Sequence, residues 1–380
     1  MKEVTGMQSR NCRVVYTELL RHNMRAIRKA VDPKARIMAV VKADGYGHGA
    51  AETSRAVLEA GADCLAVASV AEGTMLRRSG ITAPVLVLGA VTASDVQEGV
   101  ENGLIQTICS RDMAFLCERA ASKLSKQTEV HLKIDTGMGR IGVRDEAEMR
   151  AVTDSLHQCG HVRLTGVFTH FSDADDGEEG MQYTEEQFHR FLKLTAGLPK
   201  QILRHCANSA AIHRRPEYAM DMVRAGISLY GYPPVGERNL CLEPCMRWTA
   251  KISYIKEVPA GTCISYGRTF RTDRPLRVAT VTCGYADGYH RSASGRAEVL
   301  IHGKRARILG RICMDQMMAD VSDIPEAAPE DEVVLIGQDG KERITAEDIA
   351  SWSETISYEI LLSVGSRVER IFDHENCGKA

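Results

Sequence analysis

The sequence lacks the features that mark nucleic-acid-binding, membrane-bound and exported proteins. Its net charge is -2 at pH 7 and it contains no block of five or more like charges, so nothing favours nucleic acid or an anionic membrane as a partner. Residues 1–14 are polar and contain no apolar core of a signal peptide, and no membrane-spanning apolar run follows. We therefore expect a cytoplasmic protein whose partners are small molecules.

The sequence also lacks the cysteine spacing of a zinc site or a disulfide framework. Its twelve cysteines are scattered through apolar segments, a distribution typical of reduced, buried thiols. Cys241 and Cys245 are the closest pair, but neither a second pair nor a histidine at zinc-ligand spacing follows them. We therefore expect no metal site.

The 380 residues are enough for two domains, and the first has the pattern of repeated βα units. Short β-branched runs alternate with longer amphipathic stretches at residues 35–41, 64–68, 84–88, 105–108, 129–134, 164–168, 201–205 and 223–229. Eight such units predict an α/β fold, a closed (β/α)8 TIM-type barrel, with its active site at the C-terminal ends of the strands.

The second domain is predicted to consist mainly of strands. Pro233, Pro234 and Gly236 form a linker, and a helix begins at Thr345 with the capping-box partner Asp348. Strands are predicted at residues 251–258, 276–283, 297–301, 307–321 and 332–336. The domain limits that follow are 14–236 for the barrel and 237–380 for the β domain, with residues 1–13 as a candidate addition to the latter.

The first predicted strand delivers Lys42 into a glycine-rich loop. A lysine at a strand end can be desolvated, which lowers its pKa and frees the amine for covalent chemistry with a carbonyl group. The alternative interpretation of Lys42, taken by itself, is an ordinary lysine on the protein surface. Gly45, Gly47 and Ala50 also imitate a dinucleotide-binding fingerprint, which would indicate an NAD enzyme. The second strand, however, ends in Ala68 and Ser69 and offers no acidic residue for a ribose.

Polar residues follow four other predicted strands of the barrel. They are Lys133, Asp135 and Arg140 after the fifth strand, Thr169 and His170 after the sixth, His205, Asn208 and Ser209 after the seventh, and Arg224 in the eighth. A barrel gathers such residues at one face, so they are expected to converge around Lys42. The loops after the last two strands are the usual phosphate site of such barrels, and Ser209 with the amides near Gly226 and Ile227 suits a phosphate.

These motifs identify a family: the sequence resembles the alanine racemases, fold-type III pyridoxal phosphate (PLP) enzymes, over nearly its whole length. The motifs lie at residues 39–49, 135–142, 169–175, 205–210, 224–231, 264–270, 284–289, 310–315 and 357–361. The resemblance implies an isomerase that interconverts L- and D-alanine. A racemase of serine or another small amino acid would share these motifs. A non-catalytic PLP carrier is a further alternative, but it would have no use for the second domain.

The resemblance also implies how the cofactor is held. PLP is expected on Lys42, with its phosphate near Tyr46, Ser209, Gly226, Ile227 and Tyr358 and its pyridine nitrogen against Arg224. Because arginine keeps its proton at neutral pH, Arg224 can only donate to an unprotonated ring nitrogen, which makes the ring a weaker electron sink. His170 is expected to brace Arg224 from behind.

Racemisation needs a proton-transferring group on each face of the planar carbanion. The resemblance supplies Lys42 for one face and Tyr266 of the partner subunit for the other, in a homodimer with shared active sites. His205 is expected to share the proton of Tyr266. Arg140 and the backbone of the partner subunit's Met314 are expected to bind the substrate carboxylate. Supporting roles are implied for Asp315 and for Lys133. Lys133 matches a position that is carbamylated in some members of the family.

Overall fold

A computed structural model describes residues 9–234 and 240–375. The chain divides into two compact units, with division points between Leu19 and Leu20 and between Glu243 and Pro244. We call the central segment the barrel unit and the two flanking segments the β-rich unit. Residues 14–19, expected in the barrel domain, thus group with the β-rich unit. The expected boundary at 236/237 and residues 1–8 lie outside the described residues.

The described chain begins with strand β1 (Asn11–Tyr16), which belongs to the β-rich unit, and continues into helix α1 (Thr17–Ala30). Helix α1 has Glu18 in its first turn and Arg28 and Lys29 in its last turn. These charges complement the helix dipole at both ends. The strand buries alternate residues at its start, as expected of a strand covered on one face.

Eight parallel strands form the barrel, in the order β8-β7-β6-β5-β4-β3-β2-β9. They are β2 (Arg36–Val40), β3 (Cys64–Val67), β4 (Val85–Val87), β5 (Ile105–Ile108), β6 (Thr128–Lys133), β7 (Val162–Phe168), β8 (Leu203–His205) and β9 (Met222–Ala225). The predicted barrel is therefore confirmed, and each predicted run overlaps one of its strands. The last predicted run, residues 223–229, extends beyond its strand, because β9 ends at Ala225 and Ile227–Tyr230 form a 3-10 helix.

The barrel helices follow their strands. They are α2 (Lys42–Tyr46), α3 (Ala50–Glu59), α4 (Val70–Arg78), α5 (Ala93–Glu101), α6 (Arg111–Lys123), α7 (Glu146–His157), α8 (Glu178–Thr195) and α9 (Ser209–Arg214). Side chains cap several of them: Ser69, Ser110 and Asp145 each accept a hydrogen bond from an amide in the first turn. Within the described ranges, no helix is long and apolar enough to cross a membrane.

The two ends of the barrel sheet are joined by a few hydrogen bonds rather than a full ladder. The Asp221 amide donates to the Arg204 carbonyl at 3.2 Å, and the Arg224 amide donates to the Ala207 carbonyl at 3.0 Å. The Arg204 amide in turn donates to Asp221 Oδ2 at 2.7 Å. Asp221 therefore contributes both a backbone and a side-chain bond to the closure between β8 and β9.

The β-rich unit is mainly strand, as predicted. Its further elements are β10 (Met246–Val258), β11 (Cys263–Ile264), β12 (Phe270–Arg271), β13 (Leu276–Val281), β14 (Glu298–Ile301), β15 (Lys304–Arg307), β16 (Met317–Asp320), β17 (Glu332–Asp339), β18 (Glu342–Ile344), α10 (Ala346–Ser353), α11 (Ser357–Ser363) and β19 (Glu369–Asp373). The long strand β10 pairs with β1, β13 and β17, and β1 also pairs in parallel with β19. The capping box of Thr345 and Asp348 at the start of α10 is present.

Two sequence-based expectations need correction in this unit. Residues 307–321 are not one strand: β16 occupies only their end, and Gly310, with φ +67°, breaks the extended backbone before it. The residues from there to β16 form a loop that carries Met314 and Asp315. The cysteines are also less uniformly buried than predicted, because Cys241 in the barrel unit and Cys263 in the β-rich unit are exposed, while Cys377 lies outside the described residues.

The closure of the barrel yields a stability prediction. Replacing Asp221 with Ala removes the acceptor of the Arg204 amide, and a partly exposed charged hydrogen bond of this kind should contribute about 1–2 kcal/mol. Urea unfolding should detect a lower midpoint. Asp154→Ala is the matched control, because within the described ranges its carboxylate has no hydrogen bond or ion pair. Equal midpoints for the two variants would contradict this account of the closure.

Candidate active site

Lys42 lies at the start of an unusual left-handed turn. Residues 43–46 all have positive φ, with values of 51°, 52°, 62° and 51°. Only glycine adopts this region without cost, and other L-residues pay about 1–2 kcal/mol each. Two side-chain hydrogen bonds hold the turn. Glu72 Oε1 accepts from the Ala43 amide at 2.8 Å, and Asp44 Oδ1 accepts from the Ala50 amide at 2.9 Å. Strain of this kind persists where the surroundings impose it, commonly at functional sites.

The environment of Lys42 favours its neutral amine. Burial lowers the pKa of Lys42, the positive charge of Arg140 lowers it further, and Glu72 partly opposes both effects. A larger fraction of the side chain is then unprotonated near neutral pH. An unprotonated amine is the form that attacks a carbonyl group, so the expected covalent role of Lys42 suits its position.

Arg224 is the centre of a buried hydrogen-bond network at the barrel mouth. Its Nη1 donates to His205 Nδ1 at 3.0 Å and to the His205 carbonyl at 3.1 Å. Its Nη2 donates to the carbonyls of Thr169 and Cys206 at 2.8 and 2.9 Å and to His170 Nδ1 at 3.2 Å. These contacts use both terminal nitrogens of the guanidinium. In the described part of the chain no acceptor faces Nε, so this N–H remains for a bound molecule.

The two histidines beside Arg224 differ in how many of their ring nitrogens are hydrogen-bonded. His205 is fully buried, and both of its ring nitrogens are engaged, Nδ1 by Arg224 and Nε2 by His131 Nδ1 at 3.0 Å. His170 is bonded to Arg224 through Nδ1 alone. The bracing role expected of His170 matches this contact. The expectation that His205 shares the proton of Tyr266 needs correction, because His205 has no ring nitrogen available for it.

Phe168 provides a flat surface beneath this network. Its ring stacks on His205, with centroids 4.9 Å apart and planes at 4°. Lys133 Nζ lies 5.5 Å and Arg224 Cζ lies 5.6 Å from the same ring centroid. Both cations thus face an aromatic ring in a buried site, where such contacts are strongest.

Lys133 is buried, and among the described residues it has no acidic partner at bonding distance. Its Nζ donates to the Ile134 carbonyl at 2.7 Å. Burial, followed by the charge of Arg224, lowers the pKa of Lys133 to about 7, with Asp135 opposing the change. The amine of Lys133 is therefore substantially neutral at neutral pH. A neutral amine is the form that reacts with carbon dioxide, which agrees with the carbamylation that the sequence resemblance suggests for this position.

Four residues expected around the phosphate lie together in the barrel unit. Ser209 begins α9, and its Oγ accepts from the Gly226 amide at 2.8 Å. A Cβ at Gly226 would lie 3.0 Å from the Tyr46 hydroxyl and 3.6 Å from Ser209 Oγ, so a side chain there would crowd this space. Ile227 begins a 3-10 helix, whose first amides have no partner within the helix. This cradle of amides and hydroxyls fits a phosphate, whereas Tyr358, in α11, belongs to the β-rich unit.

Arg140 lies in the loop that follows β6. Asp135 Oδ1 organises this loop by accepting from the amides of Gly137 and Gly139 at 3.1 and 3.0 Å. Arg140 itself is exposed, and its charge is close enough to lower the pKa of Lys42 and of Lys133. It is thus a cation at the mouth of the barrel that could pair with an anionic substrate group.

In the β-rich unit, Tyr266 is presented on a strained turn. Its side chain is 67% exposed. Ser265 before it has φ 65° and ψ -175°, a region almost confined to glycine, and Gly267 and Arg268 after it also have positive φ. The Ser265 hydroxyl donates to the Arg311 carbonyl and so ties this turn to the loop of residues 310–315. The fold therefore holds an exposed tyrosine in a defined place.

The loop carrying Met314 is fixed by the motif of residues 284–289. The amides of Tyr285 and Ala286 donate to the carbonyls of Cys313 and Met314 at 3.0 and 2.9 Å. A Cβ at Gly284 would lie 2.4 Å from each of these two carbonyl oxygens, so only glycine permits the contact. Met314 is 53% exposed. Its backbone is thus immobilised while the residue itself faces outward.

Asp315, the residue after Met314, belongs to a set of charged side chains that contact one another. Arg367 Nη2 contacts Asp315 Oδ1 at 2.8 Å, and Arg367 Nε contacts Asp287 Oδ1 at 3.5 Å. Asp287 is fully buried, and its Oδ2 accepts from the Gly284 amide at 3.0 Å. The supporting role expected of Asp315 is consistent with its place in this connected set of charges.

Three residues of the site were not predicted from the sequence: His131, Phe168 and Glu72. A signal for His131 exists, because it lies two residues before Lys133 on the same strand and therefore on the same face. A polar residue at that spacing on a barrel strand points inward with the lysine. Phe168 and Glu72 carry no such signal, since an aromatic strand residue and a helical glutamate are ordinary in those places.

The lowered pKa of Lys133 leads to a pH-dependent prediction. In carbon-13 bicarbonate at pH 8, the neutral amine should form a carbamate detectable by carbon-13 NMR. As the pH falls through about 7, the amine becomes protonated and the signal should decline. Lys133→Met should remove the signal, whereas Lys126→Ala, at an exposed lysine on the barrel surface, should leave it intact. A carbamate that persists in Lys133→Met would contradict the assignment.

Comparison with known proteins agrees with this geometry. The family model for the N-terminal domain of alanine racemase matches residues 15–234, and the model for the C-terminal domain matches residues 245–372. An alanine racemase of Desulforamulus reducens is 44% identical over 362 residues, which cover 93% of this chain and 96% of that protein. An alanine racemase of Halothermothrix orenii is 40% identical, with 97% of this chain and 99% of that protein covered.

Solved structures show the same likeness over both domains. The alanine racemase of Clostridium difficile 630 superposes with a TM-score of 0.91 at 36% identity, covering 98% of this chain and 97% of that one. The alanine racemase of Bacillus anthracis with bound L-Ala-P gives a TM-score of 0.90 at 36% identity, covering 97% and 96%. The chain therefore belongs to the alanine racemase family.

Proposed function

We propose that this chain racemises alanine with pyridoxal phosphate bound covalently to Lys42. The observation that carries the proposal is the convergence, at one end of one barrel, of a lysine with a lowered pKa, a buried arginine and an amide-and-hydroxyl cradle. These are the three groups needed for an aldehyde, a pyridine nitrogen and a phosphate. When bound, PLP withdraws electrons from the substrate and so weakens its Cα–H bond.

The residues of the barrel unit have separate tasks toward the cofactor. Ser209, Gly226 and Ile227, with the Tyr46 hydroxyl, would hold the phosphate by neutral donors. Arg224 would donate through the N–H that its own network leaves unused. Burial lowers the pKa of Arg224 to about 10, so it remains a cation at neutral pH and cannot accept a proton from the ring. Held in this way, a ring nitrogen would stay unprotonated, which would limit electron withdrawal and favour prompt return of the proton over side reactions.

Two groups would handle the substrate proton, one on each face. Lys42 would remove or return it on one face, and Tyr266 of the partner subunit would do so on the other. A single base tends to return the proton to the side from which it came, so inversion needs both. Arg140 and the backbone amide of the partner subunit's Met314 would bind the substrate carboxylate and keep Cα between the two bases.

This division of labour requires a homodimer with shared active sites. Lys42 belongs to the barrel unit, whereas Tyr266 and Met314 belong to the β-rich unit and expose 67% and 53% of their side chains. Large exposed side chains on a rigid turn and a rigid loop are typical of a surface that meets a partner. A second copy of the chain would receive them.

A mixing experiment tests the shared site. Lys42→Ala and Tyr266→Phe homodimers should each have little activity, because general-base help is worth about 10²- to 10⁴-fold. After subunit exchange, a heterodimer contains one site with both defects and one with neither. Up to half of the wild-type turnover per heterodimer should therefore return, measured as D-alanine formed from L-alanine.

The control mixes Lys42→Ala with Arg224→Ala, since both residues are assigned to the same subunit's share of the site. In that heterodimer each site carries one defect, so no activity should return. Exchange itself can be followed with differently tagged subunits and mass spectrometry. Proven exchange without recovery in the first mixture would contradict shared sites, and full activity of Lys42→Ala alone would contradict the role of that lysine.

A further inference from the structure

We propose that His131 is a positioning residue that accepts the Nε2–H of His205, holds that ring in place and thereby fixes the orientation of Arg224. The inference rests on the proposed function only in the role given to Arg224. Its structural basis is the continuous chain from Arg224 Nη1 to His205 Nδ1 and from His205 Nε2 to His131 Nδ1, with both distances 3.0 Å. All three side chains are buried in the barrel unit.

The direction of these two hydrogen bonds follows from what each group can donate. A guanidinium only donates, so His205 Nδ1 must present its lone pair to Arg224. In a neutral imidazole the proton is then on Nε2, and that N–H donates to His131 Nδ1. His131 must therefore accept through Nδ1 and carry its own proton on Nε2. One consistent arrangement runs from Arg224 through His205 to His131.

Both histidines are held in the neutral form that this arrangement needs. Burial lowers the pKa of His131 to about 3 and that of His205 well below its usual value, and the charge of Arg224 lowers both further. A neutral His205 has two tautomers to choose between. The other one would place an N–H of the ring against an N–H of Arg224, so Arg224 excludes it and His131 accepts the Nε2–H that remains.

The backbone is built around the ring of His131, which indicates that the ring is needed and not merely tolerated. A Cβ at Gly166 would lie 2.6 Å from both Cε1 and Nε2 of His131, so the neighbouring strand β7 has a glycine where the ring lies. The pairing of β6 with β7 also shifts register between Val130 and His131. An apolar side chain could fill a barrel core without a glycine and a bulge opposite it.

The consequence for Arg224 concerns the one N–H that its network leaves unused. Both terminal nitrogens donate to the surrounding carbonyls and histidines, so the plane of the guanidinium is set by these acceptors. If the His205 ring lost its acceptor at His131 and tilted, that plane would have to rotate with it. The direction of the Arg224 Nε–H would change with it, although His131 touches neither cofactor nor substrate.

The test compares two substitutions at His131 by nitrogen-15 NMR of histidine-labelled holoenzyme. His131→Asn keeps an acceptor oxygen near the place of Nδ1, whereas His131→Leu removes it at similar volume. In the wild type and in His131→Asn, His205 should carry its proton on Nε2. In His131→Leu the tautomer should stay the same, but the Nε2–H signal of His205 should shift upfield because its acceptor is gone. The His205 signals are identified in the wild type by the scalar coupling between His205 Nε2 and His131 Nδ1, and in both variants by their loss on adding His205→Asn.

Kinetics provide the second measurement. A misdirected Arg224 should lower kcat for alanine about tenfold in His131→Leu with little change in KM, as small displacements of a positioning group do. His131→Asn should recover kcat to within about threefold of the wild type by the same argument. A purely structural role would lower thermal stability in both variants without distinguishing their His205 Nε2–H signals or their kcat.

The wild-type spectrum alone can overturn the proposal, whether or not a variant folds. Protonation of His205 on Nδ1, or absence of the His205–His131 coupling, would contradict it. So would an unchanged Nε2–H signal of His205 in folded His131→Leu. If the wild-type protein proved inactive toward alanine but had the expected tautomer, the proposed function would fail while the positioning role of His131 toward Arg224 would stand.

Discussion

The site depends on a buried cation that is stabilised without a carboxylate. Arg224 is only 3% exposed, and among the described residues its acceptors are three backbone carbonyls and two neutral histidines. Burying a charge is costly unless hydrogen bonds replace its water, and the carbonyls at the ends of β7 and β8 provide that replacement. A barrel is suited to this task because parallel strands present their last carbonyls at one rim.

The charge of Arg224 in turn adds to the effect of burial on the protonation of its neighbours. It contributes to the lowered pKa values of His131, His170, His205 and Lys133, after burial in each case. The region around Arg224 therefore contains bases that are neutral and one permanent donor. Such a field favours an unprotonated ring nitrogen and leaves proton transfer to residues outside the network, which is consistent with the roles proposed for Lys42 and for Tyr266 of the partner subunit.

The parts of the fold that follow from local patterns could be predicted from the sequence. Most of the barrel strands are apolar, β-branched runs, and the lysine, the glycine-rich loop and the Ser209–Gly226 cradle lie at strand ends, where the fold must bring them together. The motif of residues 284–289 was recognised as a pattern, but its task of holding Met314 by two amides becomes visible only when the two loops meet in space.

What could not be predicted depends on long-range pairing or on a choice between similar groups. Strand β1 is assigned to the β-rich unit by partners more than two hundred residues away, β10 and β19. Residues 308–316 have strand-like composition, yet Gly310 turns them into a loop. The full engagement of both His205 ring nitrogens was equally hidden, because it depends on Arg224 and His131, which lie on other strands of the barrel.

The central claim is that Arg224, kept cationic and oriented by its network, holds the cofactor ring nitrogen unprotonated. Nitrogen-15 NMR of the protein reconstituted with ring-labelled pyridoxal phosphate tests this most directly. The account predicts an unprotonated pyridine nitrogen between pH 6 and pH 9 in the wild type, and a protonated one after Arg224→Glu, whose carboxylate can accept the ring proton. A protonated ring nitrogen in the wild type would contradict it.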